Sequence, residues 1–282
     1  MQVLRAVPEL RRWSRTLRAA GGNTIGLVPT MGALHAGHVS LLRAARPQCS
    51  HIALSLFVNP TQFGPNEDFA RYPRAFEADC AIAWAEGADV LFAPAVEELY
   101  PNGPNSTFVE VPALSERLDG ASRPGHFRGV ATVVAKLFIA AEPDRAYFGQ
   151  KDAAQVAILR RMTADLRLAT EIVVCPIIRD PDGLALSSRN AYLTPAERAR
   201  ALVLSRAVRR VESLTAEGER RSSAILAAAQ SIFAAEPDVR IDYIALVDWA
   251  TLEPVETAIP GTLFAVAARI GSTRLIDNAI LS

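Results

Sequence analysis

Cysteine is scarce in this chain: Cys49, Cys80 and Cys175 lie far apart, with no CxxC spacing among them. An odd, scattered count excludes a disulfide framework and a thiolate zinc site, and predicts reduced thiols in a cytoplasmic setting. Excess charge of either sign is missing too, since 30 basic residues cancel 30 acidic ones. The electrostatic footprint of a nucleic-acid binder is therefore absent, and small-molecule chemistry is favoured. No run approaches the roughly 18 apolar residues that cross a bilayer. The arginine-studded opening, MQVLRAVPELRRWSRTLRAAGG, lacks the continuous apolar stretch and small-residue cleavage site of a secretion signal. Neither GxxxxGK[ST], GxGxxG nor GxSxG occurs, which removes the familiar phosphate loops and the serine-hydrolase elbow. Histidine is rare, with four residues, two of them inside VPTMGALHAGH (28–38).

What is present is alternation. TIGLVPT (24–30), HIALSLFVN (51–59), ADVLFAP (88–94), DRAYFGQ (144–150) and ATEIVVCPIIRD (169–180) read as strands. Between them, 37–46, 74–87, 129–141 and 152–166 carry helical spacing. Such alternation predicts an α/β fold, a Rossmann-like doubly wound parallel sheet. After Asn190 the texture changes. TPAERARALVLSRAVRRVESLTAEG starts with a threonine cap, proline and Glu197, the signature of a long helix. A second helix over about 220–235 and three strands, VRIDYIALVD, TLFAVAARI and STRLIDNAIL, predict a smaller α+β C-terminal lid. The expected division is 1–180 and 181–282, at the RDPDG turn.

Four loops concentrate chemistry, and in open α/β sheets ligands bind where strand ends enter helices. In VPTMGALHAGH, Gly32 permits unusual backbone angles and Gly37 a tight helix start. His35 and His38, three apart at a helix N-terminus, suit an anion such as phosphate; a metal would need a third ligand, and none is near. FVNPTQFGPNEDFARYPR (57–74) is an irregular loop rich in prolines and asparagines, with Asn59, Gln62 and arginines as donors for a carboxylate or hydroxyl. YFGQKDAAQ offers Lys151 to phosphate and Asp152 to a ribose hydroxyl or backbone amide, although a lone lysine reads equally as a surface charge. DGLALSSRN (182–190) sets two serines and the forked cation of Arg189 behind a turn, equally an interdomain linker when read alone.

VPTMGALHAGH, SLFVNPTQFGPNEDFARYPR, RPGHFRGVATVVAKLF, YFGQKD, DGLALSSRNAYL and AARIGSTRLIDN, in this order, resemble the pantoate–β-alanine ligase (pantothenate synthetase) family over essentially the whole chain. The resemblance implies ATP-dependent joining of pantoate to β-alanine through a pantoyl adenylate, releasing pyrophosphate and AMP. It implies a cytoplasmic, Mg²⁺-dependent homodimer that handles small molecules and neither nucleic acid nor membrane. Carried over by residue, it implies an ATP site of Met31, Gly32, Ala33, Leu34, His35, Ala36, Gly37, His38, Gly149, Gln150, Lys151, Asp152, Ile178, Leu186, Ser187, Ser188 and Arg189. His38, His35 and Lys151 would be catalytic, Gln62, Gln155 and Asn59 would hold substrate, and Asp79 would attend the magnesium. Two positions depart from the family pattern: Ala36 stands where an acid is common, and Leu186 where methionine is.

A carboxylate is already nucleophilic, so adenylation requires alignment and charge stabilisation rather than a general base. Two other enzymes share the histidine motif. A cytidylyltransferase would act on a phosphorylated alcohol, for which the Gln62 loop is less suited. A class I tRNA synthetase would need a basic RNA-binding domain, which is not visible. A catalytically dead nucleotide sensor is disfavoured by the intact His35, His38, Lys151, Ser187, Ser188 and Arg189.

Overall fold

The computed structural model describes residues 1–65 and 67–282; Asn66, part of the irregular loop expected over 57–74, lies outside them. The chain opens with β1 (Gln2–Leu4) and α1 (Val7–Ala20). It then alternates β2 (Ile25–Thr30), α2 (Ala36–Ala45), β3 (His51–Leu56), α3 (Phe76–Ala85) and β4 (Val90–Phe92). Three four-residue helices follow where the sequence suggests no element: α4 (Val96–Leu99), α5 (Pro112–Ser115) and α6 (Asp119–Ser122). The alternation resumes with α7 (His126–Ala141), β5 (Arg145–Gly149), α8 (Ala153–Asp165) and β6 (Glu171–Cys175). The last strand is shorter than the expected 169–180. Pro176 has no N–H to continue the ladder, and Ile177 and Ile178 turn into a cleft instead.

The six strands form one parallel sheet in the order β1-β4-β3-β2-β5-β6. From β2 the chain proceeds toward one edge through β3, and from β5 toward the other. The crevice between the carboxyl ends of β2 and β5 is thus a topological switch point. A proline widens it. β2 pairs with β5 only at Gly26↔Arg145 and Leu27↔Ala146, whereas its pairing with β3 runs on to Thr30↔Leu56. Ile25 accepts from Asp144 N on the β5 side, while Thr24 and Thr30 accept from the β3 side. Strand alternation therefore points the N–H that Pro29 lacks at β5, and the two strands part there.

Beyond β6, Asp180 N bonds Leu184 O at 2.9 Å to close the RDPDG turn. Two helices follow, α9 (Pro195–Ala216) and α10 (Ser222–Ala234), then β7 (Val239–Asp248), β8 (Thr262–Ile270) and β9 (Thr273–Ile280). The capping box expected for α9 is present: Thr194 Oγ1 accepts from Glu197 N, and Glu197 Oε2 accepts from Thr194 N. The three strands pair antiparallel in sequence order. Strand β8 is buried on both faces. Phe264, Val266, Ala268 and Ile270 pack with α9 and α10, whereas Leu263 and Ala265 join the core built around α7 and α8. The C-terminal unit consequently shares apolar packing with the first sheet.

Candidate active site

At the end of β2 the chain reverses through Gly32 (φ +84°) and Ala33 (φ 51°), both left-handed. Asp79, in the first turn of α3 and buried, lies directly beneath. Its carboxylate accepts from Ala33 N at 2.9 Å and Leu34 N at 2.7 Å. A Cβ on Gly32 would stand 2.9 Å from Asp79 Oδ2, so glycine is required there for space as well as backbone angle. The structure gives Asp79 a task other than the expected one: with two backbone amides on its oxygens and no part in the cleft wall, it holds the loop.

The loop delivers His35 and His38 to the head of α2. His35 is the N-cap, and its Nδ1 accepts from Gly37 N at 3.1 Å; His38 Nδ1 accepts from His35 N at 3.3 Å. Each ring therefore carries its proton on Nε2, the nitrogen left over. The rings lie 4.1 Å apart. Burial, aided by the neighbouring His35, pushes His38 down to about 3. Burial and the charge of Lys151 push His35 down as well. At neutral pH the pair offers two uncharged N–H donors to the cleft.

Across the crevice, β5 runs into a 3₁₀ turn at Gln150–Asp152. Asn278 of β9 donates to the carbonyls of Gln150 and Lys151 at 3.0 and 2.8 Å, fixing the turn from behind. Gln150 itself bonds Asn278 Oδ1 and faces away from the cleft. Lys151, Asp152, Gly149 and Gln155 line the cleft, and Lys151 Nζ is 3.6 Å from Asp152 Oδ1. Ile178, Leu186, Ser187, Ser188 and Arg189 form the opposite wall. Of the β2–α2 residues, Met31, His35, Gly37 and His38 face the cleft. Leu34 is buried in the core below, Ala36 points to solvent, and Gly32 and Ala33 contribute backbone geometry.

The third loop places Gln62 in the cleft, with Nε2 2.9 Å from Met31 Sδ. Asn59, expected beside it as a substrate donor, is 1% exposed and belongs to the scaffold. Its Nδ2 donates to Gly129 O and Gln62 Oε1, and its Oδ1 accepts from the hydroxyls of Tyr100 and Thr61. Four polar partners leave it no role toward a ligand.

Sequence reasoning assigns no role to Arg123 and His126, yet both line the cleft. His126 Nδ1 lies 2.8 Å from Gln62 O, and its Nε2 is 2.9 Å from Arg123 Nη1. Arginine can only donate, so His126 carries its proton on Nδ1 and gives it to the Gln62 carbonyl. Burial, then the Arg123 charge, lowers His126 to about 4. Arg123 also grips Glu67 at 2.7 and 2.6 Å. The available signal is the RPGH stretch, which follows no strand and so falls outside the strand-end rule. The floor is apolar: Phe57, Phe148 and the Val130, Val133, Val134 and Leu137 face of α7. The cleft thus joins neutral and cationic donors at one end to an amide-flanked apolar chamber at the other. Such a cleft suits a polyphosphate beside a small branched acid.

The chain is similar to known proteins over nearly its whole length. The family model described as pantoate-beta-alanine ligase matches residues 2–280. A pantothenate synthetase of Acidobacterium capsulatum is 59% identical, covering 99% of this chain and 94% of its own. One of Koribacter versatilis is 55% identical, covering 100% and 96%. Among solved structures, a pantothenate synthetase of Thermus thermophilus superposes with a TM-score of 0.92 at 45% identity, covering 99% of each chain. A Francisella tularensis pantoate-beta-alanine ligase, complexed with beta-gamma ATP and beta-alanine, gives 0.80 at 33% identity, covering 99% of this chain and 97% of that one.

Proposed function

The chain belongs to the pantoate–β-alanine ligase family, and on that premise we propose that this cleft activates pantoate as an acyl adenylate and passes the acyl group to β-alanine. ATP is the co-substrate; AMP and pyrophosphate leave. The observation that carries the reading is the pair of Nε2–H donors at the switch point, facing Lys151 and Arg189 and opening onto the Gln62 chamber.

The pantoate carboxylate attacks the α-phosphate of ATP, and charge builds on the phosphoryl oxygens and the departing pyrophosphate. His35 and His38 donate to those oxygens without titrating, while Lys151 and Arg189 balance the negative charge. Gln62 and Gln155 align the pantoate hydroxyls, and its methyl groups rest on the α7 face. In the second step the neutral amine of β-alanine attacks the acyl carbonyl, the bond from acyl carbon to phosphate oxygen breaks, and AMP leaves. The nitrogen's surplus proton passes to the departing phosphate or to solvent. Imidazoles held at about 3 and about 4 are poor proton acceptors at neutral pH, so neither His38 nor His126 is assigned the amine proton.

Magnesium fits as a companion of the nucleotide. No group of three or more His, Cys, Asp or Glu is placed to hold an ion among the described residues. Mg²⁺ is commonly held by one or two carboxylates together with substrate phosphates, however, and Asp152 is the carboxylate in the cleft wall. Bound there, it would supply charge neutralisation to the phosphates. A cytoplasmic setting is supported by the three free thiols. Separately, no helix among the described residues is long and apolar enough to cross a membrane. A homodimer is supported by the family alone and is tested by sedimentation.

The deciding assay is AMP formation. It should require ATP, pantoate and β-alanine together; a preference for CTP, or binding without turnover, would overturn the reading. His38→Ala should lower pantoate-dependent pyrophosphate exchange by about 10²-fold or more with the fold intact.

A further inference from the structure

Arg189 does not point an open fork into the nucleotide cleft. Its Nε donates to Asp68 Oδ2 at 3.1 Å and its Nη2 to Asp68 Oδ1 at 2.9 Å, a bidentate pair across two loops. The pair is largely withdrawn from water, with the Asp68 side chain 12% and the Arg189 side chain 28% exposed. Burial would raise the Asp68 carboxyl, but the hydrogen bonds and charge of Arg189 outweigh it and hold it below its ordinary value. Arg189 lines the nucleotide cleft and the adjoining cavity, whereas Asp68 lines only the adjoining one.

Asp68 has a local alternative that it does not take. It stands at the N-cap of the 3₁₀ turn Phe69–Arg71, where an aspartate usually caps the free amides, yet its side chain makes no capping bond. Its carboxylate is spent on Arg189. The same two loops meet at Tyr72 OH and Ser188 Oγ, 3.3 Å apart, and where the Arg71 guanidinium lies over the Tyr192 ring. A carboxylate gripped by a guanidinium fork presents the geometry of a phosphate gripped by the same fork.

We propose that Asp68 is a positioning residue that occupies Arg189 as a stand-in for phosphate and is displaced from it by the polyphosphate of ATP. In the ligand-free protein the exchange partner keeps the fork oriented and ties the loop ending at Tyr72 to the Ser187–Arg189 wall. Nucleotide binding then transfers the fork from carboxylate to phosphate and releases that tie. This rests on the reading that Arg189 meets ATP phosphates, so the test addresses that reading separately.

The test is calorimetric titration with the β,γ-methylene analogue of ATP and, in parallel, with adenosine. Arg189→Gln tests the premise: analogue affinity should fall about tenfold or more, since a charge-assisted bidentate pair is lost. Unchanged affinity there would remove Arg189 from the phosphate site. Asp68→Asn tests the exchange: it should bind the analogue about five- to tenfold more tightly and adenosine unchanged, because only the phosphates compete with the carboxylate. Weaker or unchanged analogue binding by Asp68→Asn, with Arg189→Gln behaving as expected, would overturn the proposal. Asp68→Glu, which keeps the competing charge, should stay near wild type. Asp68→Ser provides the same reading should Asp68→Asn fail to fold.

Discussion

Each imidazole at the head of α2 has one nitrogen committed to a backbone amide, so only Nε2–H is left to face the cleft. Glutamine can place an amide N–H near that position and asparagine, one carbon shorter, cannot. His38→Gln should therefore retain about tenfold more pyrophosphate exchange than His38→Ala, with His38→Asn resembling alanine. Better rescue by asparagine would put the working proton on Nδ1. Asp79 makes a second case. Asp79→Asn keeps one acceptor oxygen but aims an NH₂ at a backbone donor, costing about 1–3 kcal/mol by urea denaturation. Raising Mg²⁺ should not restore its activity; recovery with magnesium would return Asp79 to the metal. The histidine pair is legible in the sequence because glycines and a strand end frame it. Asp79 and Asn59 are not, because whether a polar side chain in a turn faces ligand or backbone depends on long-range neighbours: Asp79 lies 46 residues from Ala33, and Asn59 bonds a carbonyl 70 residues away.

At the scale of elements, strands and crossover helices announce themselves through period, and the three strands of the second sheet lie within the segments expected for them. The four-residue helices α4 to α6 carry too few residues to show a helical period, so the turn that brings Arg123 and His126 inward stays silent. The packing of α7 on the Gln62 turn is a matter of one atom. A Cβ on Gly129 would stand 2.4 Å from Thr61 O and 2.7 Å from Gln62 N, both backbone atoms that cannot yield cheaply. Gly129→Ala should push that turn away from the helix, costing about 1–3 kcal/mol of stability. Steady-state kinetics should show KM for pantoate raised about tenfold with KM for ATP within about twofold. An equal rise in both would mean that the helix and the loop carry the whole cleft rather than the acid-binding end.

For the whole molecule, the order β1-β4-β3-β2-β5-β6 puts the switch point between the loop that carries His35 and His38 and the loop that carries Lys151, an arrangement legible in outline from strand alternation. What alternation cannot show is that Asn278 of the second sheet braces the Lys151 turn of the first. The expected lid is thus tied to the site at β9. The histidines also tie the site to stability. His38 and His126, held at about 3 and about 4, remain neutral in the fold, whereas an unfolded histidine titrates near 6.5; burial lowers His35 in the same direction. Between those values the unfolded chain binds more protons, so their contribution is complete above about pH 6.5. It is lost as the pH falls toward the folded values. Each neutral histidine gives a slope of up to about 1.4 kcal/mol per pH unit. Carboxylates held low by partners, such as Glu67 and Asp68, begin to matter only near their unfolded values of 4.5 and 3.8. The window from about 6.5 to 5 therefore belongs to the histidines. Urea midpoints measured across it should fall steadily with acid, and His126→Asn, which keeps a donor for the Gln62 carbonyl but cannot titrate, should flatten the slope by about one proton. An unchanged slope in that variant would show that His126 is charged in the folded protein, and the tautomer that orients Gln62 would have to be abandoned.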